Sequence, residues 1–143
     1  MEQEIKQLMQ QLKPEFLAFV KLWNWFRTEF ETETLWSIDD AVEKHEDFAI
    51  GRFAHYYIKK NPDNSASLDD LRGRYYRLYN MVRCLEPCTW VLDMREQRCL
   101  YGISRYLRRV SDLLEYIYRI AYPAHMHVWS GLAADKEVEA DVD

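Results

Sequence analysis

Apolar residues recur along this chain at the three-and-four spacing of amphipathic helices. Ile5, Leu8, Met9 and Leu12 share one face. Pro14 then either kinks this helix or opens a second one at its first turn. From Glu15 to Phe30 the residues Phe16, Phe19, Val20, Trp23, Phe26 and Phe30 form a broad face, which Leu17, Leu22 and Trp25 widen. A face this wide predicts contact with more than one neighbouring element. Residues 31–36 read as a polar connector. Ser37 follows as an N-cap, with Asp40 three residues on. One helix is predicted from there to a stop at Asn61-Pro62, with Ile38, Val42, Ala49, Phe53 and Tyr57 at core spacing. Residues 62–67 read as a loop, and Ser67 caps the next helix with Asp70 at its third position. Leu71, Tyr75, Leu78, Val82 and Leu85 form that helix's core stripe, and Glu86-Pro87 ends it.

The strongest element comes last. Asp93 and Glu96 spell an acidic capping box. Cys99, Ile103, Tyr106, Val110, Leu113, Ile117 and Ile120 then alternate steps of four and three, which is a heptad seam. The helix is predicted over about 93–122, stopped by Pro123, with a length of roughly 45 Å at the helical rise. Such a seam closes either a homodimeric coiled coil or the inside of a bundle, and three amphipathic helices in the same chain favour the bundle. The fold class read from these patterns is all-α: four to five helices around one long C-terminal helix. Residues 1–131 form a single helical domain, and residues 132–143 form an acidic, disordered tail.

Composition agrees with a packed helical chain. Of 143 residues, 48% are apolar, and only four are Gly and four Pro, too few turn formers for an all-β fold. Five Trp, ten Tyr and six Phe supply either an aromatic core or an adhesive surface. The first residues carry no basic-then-apolar leader, and no apolar run approaches the ~20 residues of a membrane span. Three cysteines without a framework spacing read as reduced thiols, so the expectation is a cytoplasmic protein without membrane contact. Net charge is −5, yet it is unevenly placed. All ten bases between residues 68 and 122 are Arg, whereas six of the seven Lys lie before residue 62.

Candidate chemistry starts with those arginines. Arg72, Arg74, Arg77 and Arg83 interleave with Tyr75, Tyr76 and Tyr79, and Arg95, Arg98, Arg105, Arg108, Arg109 and Arg119 follow. Arg offers a planar fork to carboxylates or phosphates and stacks on aromatic rings. Arg and Tyr are both enriched in protein interfaces. Arg77, Tyr76, Arg105, Arg108 and Arg109 are the expected partner contacts, since Arg108 and Arg109 flank the seam. The same residues also admit internal pairing with the acidic N-terminal helices, or tracking of a nucleic-acid backbone.

Cys84 and Cys88 with His125 and His127 superficially make a two-Cys, two-His zinc set. The long helix separates the pairs by on the order of 40 Å, so no metal or cofactor is expected. Asp39, Asp40, Glu43, Glu46 and Asp47 form a dense acidic stretch, but the further carboxylate pair that a Mg²⁺ site needs is offered only by Asp69 and Asp70, at a helix N-terminus where capping explains them. Arg119-Ile-Ala-Tyr-Pro-Ala-His125 resembles the Arg-x5-His motif of HEPN ribonucleases, although Ile120 replaces the polar residue usual after the Arg. The resemblance implies metal-independent RNA cleavage at a dimer interface, with His125 handling protons and Arg119 stabilising phosphate charge. The residues alone read as an arginine favourable to a helix C-terminus, a proline stop and surface histidines. The leading expectation is a non-enzymatic interaction module of the adaptor or inhibitor type that phages and mobile elements encode. Its partner is a protein or a second copy of the chain, with the ribonuclease and a nucleic-acid-binding module as alternatives.

Overall fold

The computed structural model describes residues 1–60 and 64–122, and among them the chain is an all-α bundle. Its helices are α1 (Glu2–Thr34), α2 (Ile38–Glu43), α3 (Asp47–Lys60), α4 (Asn64–Leu85) and α5 (Met94–Ala121), and a 3-10 turn at Glu86–Val91 leads into α5. No strand occurs among the described residues, and none of their helices is long and apolar enough to cross a membrane. The expected tail at 132–143 lies outside them.

The longest helices set the frame. Lys6 pairs with Glu96 at 3.0 Å and Phe16 meets Tyr106 edge-on at 5.2 Å, so α1 and α5 run parallel. α4 lies antiparallel to both. Arg77 reaches Glu15 and Tyr75 meets Phe19 along α1, while Tyr118 of α5 donates to Asp69 near the start of α4. α2 and α3 close the far end. There Phe53 stands nearly perpendicular to Phe26 and Phe30, with ring centroids at 5.6 and 5.1 Å.

The α4 stripe is buried as expected: Leu71, Tyr75, Leu78, Val82 and Leu85 all face the core. The α5 seam is not the expected one. Ile103, Val110 and Ile117 are buried, but Leu100, Leu107 and Leu114 complete the line, while Cys99, Tyr106, Leu113 and Ile120 are only half-buried. The apolar face of α5 is wide, and its two edges meet different neighbours. On one edge Tyr106 meets α1 and Ile120 meets α3, where a Cβ at Gly51 would lie 3.4 Å from Ile120. On the other edge Ser104 reaches Glu86, at the end of α4.

Four boundaries also differ from the pattern reading. α1 runs unbroken through Pro14, because its buried line continues from Ile5, Met9 and Leu12 to Phe19 and Trp23. Pro14 is exposed, so water can satisfy the carbonyl it leaves without an N–H partner. α1 also absorbs most of the expected 31–36 connector. It ends with Leu35 in the left-handed conformation at φ 65°, the Leu35 N–H donating to the Glu31 carbonyl.

Ser37 caps α2 as expected, accepting from the Asp40 N–H at 3.1 Å. The helix predicted from there to residue 61 is instead split into α2 and α3. His45 takes φ 54°, and the Glu46 N–H returns to the Ala41 carbonyl at 2.8 Å, the closing bond of a Schellman stop. Of the stripe predicted there, Ile38 and Phe53 are buried, Val42 and Ala49 half-buried, and the Tyr57 side chain lies outside the description. α4 begins at Asn64, three residues before the Ser67 expected to cap it. Asn64, Ser65 and Ser67 are all residues that favour helix starts, so their identity does not choose between them. At α5 the Asp93–Glu96 box is present in both directions, at 2.8 and 2.9 Å.

Phe53 ties α3 to α1 at the closed end. Phe53→Ala is expected to lower unfolding free energy by about 3–5 kcal/mol, read from the shift in urea midpoint. A shift of only a few tenths would show that the α3 corner does not share the core.

Candidate functional site

α5 carries its charge on the side turned away from the core. At 100° per residue, Arg98, Arg105 and Arg109 fall within about 40° of one another, opposite the buried Leu100–Ile117 line. Arg95 and Arg108 flank them, and all five are exposed. Tyr101 lies among them, 63% exposed, with the Arg105 guanidinium 5.7 Å from its ring centroid. Trp90 and Met94 stand exposed where the stripe begins, and Arg98 Nη2 lies 3.8 Å from the Met94 sulfur. Asp112 closes the stripe on the same face.

These five arginines form no ion pair among the described residues. The ion pairs found there involve Lys6, Arg27, Arg74, Arg77 and Arg119. A guanidinium without an internal carboxylate keeps its whole fork for a ligand.

Beside the stripe, a groove of about 220 Å³ runs between α4 and α5, lined by Tyr79, Arg83, Ser104 and Arg108. Ser104, buried in its wall, donates to Glu86 at 3.2 Å. Arg83 lies 5.6 Å over the Tyr79 ring.

The residues singled out from the sequence do not form one patch. Arg105, Arg108 and Arg109 lie together on α5. Arg77 sits on the α1–α4 seam, with both carboxylate oxygens of Glu15 at 3.5 Å. Tyr76 is half-buried against Tyr75 and Tyr79, with ring centroids at 5.4 and 6.4 Å. Arg95, Arg98, Tyr101, Met94 and Trp90 extend the α5 surface beyond the residues chosen as contacts. Their signal was the Arg98–Tyr101–Arg105–Arg109 spacing, which marks a single helical face.

Arg119 occupies the last turn of α5 and pairs with Glu115 at 3.1 Å. Its motif partner His125 lies outside the described residues, as does His127. Cys84 is exposed and Cys88 half-buried, both as free thiols. In the acidic stretch, Asp39 reaches Arg27 at 3.8 Å and Asp47 accepts from Tyr116. The same hydroxyl lies 3.0 Å from His45 Nδ1, so this network fastens the α2–α3 corner to α5.

Burial, the leading cause, holds the hydroxyls of Tyr75, Tyr76 and Tyr118 above the ordinary tyrosine range. Below about pH 10 both folded and unfolded chains keep these protons. Above it the unfolded chain releases them and the fold does not, so stability is full below about pH 10 and falls as pH rises further. Urea midpoints measured across this range are expected to decline, and Tyr76→Phe is expected to make the decline shallower. An unchanged slope in the variant would show that Tyr76 ionises freely. Comparison with family models, with curated proteins and with solved structures found no match.

Proposed function

We propose that this protein is a non-enzymatic interaction module that binds an acidic protein surface through the arginine face of α5. One observation carries the reading: Arg95, Arg98, Arg105, Arg108 and Arg109 share an exposed side of one helix and have no carboxylate partner among the described residues. Rigid helical display places the guanidiniums at fixed spacing, which lowers the ordering cost of binding. Tyr101, Trp90 and Met94 add the residue types that concentrate at protein interfaces. The chain's net charge of −5 works against a long polyphosphate, whose field extends past the stripe to the acidic helices.

The test is titration of a Glu-rich peptide against the wild type and against Arg105→Glu/Arg109→Glu, with single-stranded RNA and duplex DNA of matched charge beside it. The double reversal is expected to weaken peptide binding by about a hundredfold, with the circular dichroism unchanged. Peptide binding indifferent to the reversal would overturn the reading. Tighter binding of RNA or DNA than of the peptide, with a steep salt dependence, would replace the protein partner with nucleic acid.

A further inference from the structure

The arginine face of α5 has a matching acid pattern in the same chain. Beyond Tyr122, which caps the end of α5, Asp135, Glu137, Glu139, Asp141 and Asp143 occupy every second position. Lys136, Val138, Ala140 and Val142 fill the positions between them. An extended chain turns alternate side chains to opposite sides, so this spacing offers all five carboxylates on one edge, about 6.6 Å apart and about 26 Å from first to last. At 100° per residue a helix would scatter the same acids around its circumference. The exposed arginines from Arg95 to Arg109 cover about 21 Å of the α5 axis. Two rows of opposite charge and nearly equal length therefore belong to one chain.

We propose that residues 135–143 lie extended along the arginine face of α5 in the same molecule, in the place that an acidic protein partner takes. The inference rests on the arginine face being a site for an acidic protein surface, and it names what regulates that site.

Covalent geometry permits the contact. Measured back along α5 from Tyr122, Arg109 lies about 20 Å away and Arg95 about 40 Å. The chain from Tyr122 to Asp135 reaches about 43 Å when extended, so Asp135 meets Arg109 with slack to spare and the later acids run on towards Arg95. Bases elsewhere in the bundle are less available. Lys6, Arg27, Arg74, Arg77 and Arg119 already face carboxylates.

Neighbouring carboxylates also favour this side of α5. Around its last turns, the α4 side presents Asp69 to Tyr118 and the α2–α3 corner presents Asp47 to Tyr116. These acids repel the tail from the flanks of the helix end. On the arginine face itself α5 carries one exposed carboxylate, Asp112, since Glu96 turns to Lys6 and Glu115 to Arg119. Glu86 at the α4 flank stands beside Arg83 and Arg108, and Glu2 and Glu4 stand at the start of α1. The Arg105–Arg109 part of the stripe, nearest to Asp135, is the part farthest from Glu2 and Glu4.

Attachment to the same chain sets the strength. Exposed ion pairs are individually weak and screened by salt. A tether raises the local concentration of the acids to about 1 mM. Against an intrinsic dissociation constant of about 0.1 mM, that concentration fills the face about nine-tenths of the time, and a partner then binds about tenfold more weakly than to a vacant face.

The test compares the full wild-type chain with Asp135→Asn/Glu137→Gln/Glu139→Gln/Asp141→Asn/Asp143→Asn by nitrogen-15 NMR. The substitutions lie beyond the bundle, so α1 to α5 keep their packing. Amide and guanidinium signals of Arg98, Arg105 and Arg109 are expected to differ between the two proteins at low salt. The difference is expected to vanish as salt rises and to be the same at every protein concentration. Reciprocally, Arg105→Glu/Arg109→Glu is expected to move the amide signals of Val138 and Val142 to their high-salt positions. The Glu-rich peptide is expected to bind the neutralised variant about tenfold more tightly than the wild type.

Identical arginine signals at low salt overturn the inference. Differences that grow with protein concentration overturn it too, by placing the tail on a second copy. Tail signals that ignore the arginine reversal, or peptide affinity unchanged by neutralising the tail, also overturn it. In each of these cases the arginine face stands as a peptide site so long as Arg105→Glu/Arg109→Glu weakens peptide binding. A peptide that binds neither protein removes that reading and the inference together.

Discussion

Everything in this bundle depends on how α5 buries a face wider than one neighbour can cover. Its Ile103, Val110 and Ile117 line runs down the middle of that face. α4 covers one flank from the antiparallel direction, and α1 and α3 cover the other. Once both flanks are covered, only one side of α5 remains for water, and the arginines occupy it. The orientation of the charged stripe is therefore fixed by core packing, not by charge interactions. Packing of this kind holds the stripe at constant spacing, because interiors at crystal-like density deform little.

The charged side chains near the helix ends are not all used by the fold. At the start of α5, Asp93 and Glu96 are engaged in the capping box and Glu96 also in binding Lys6, while Arg95 and Arg98 are exposed without a carboxylate partner. At the end of α1, carboxylates are left over and crowd a helix terminus that repels them.

The helical architecture was legible from spacing alone. The α4 stripe from Leu71 to Leu85 and the Asp93–Glu96 box stand where the pattern puts them. The side of α5 facing α4 was not legible. Leu100, Leu107 and Leu114 lie as regularly as Cys99, Tyr106 and Leu113, and periodicity cannot choose between two lines that share Ile103 and Val110. The choice rotates the helix by about 60° at 100° per residue. That rotation brings Arg98, Arg105 and Arg109 together towards the centre of the outward face and carries Arg108, which the expected seam put nearest that centre, to its flank. The α1 and α2 stops were hidden for another reason. Leu35 and His45 end their helices in a left-handed conformation without the glycine that would announce it.

The preference for Arg over Lys in the second half of the chain is partly structural, and separating that part isolates the rest. Arg72, Arg83 and Arg105 lie over the rings of Tyr118, Tyr79 and Tyr101 at 4.8, 5.6 and 5.7 Å. A planar guanidinium stacks there as an ammonium does not. Arg74 and Arg119 pair with acids four residues away on their own helices, and Arg77 reaches across to Glu15. Four of the ten arginines between residues 68 and 122 are left: Arg95, Arg98, Arg108 and Arg109. Folding gives these four neither a carboxylate nor a ring among the described residues. Arginine at positions where the fold makes no use of its fork supports the proposal that these four side chains meet a ligand.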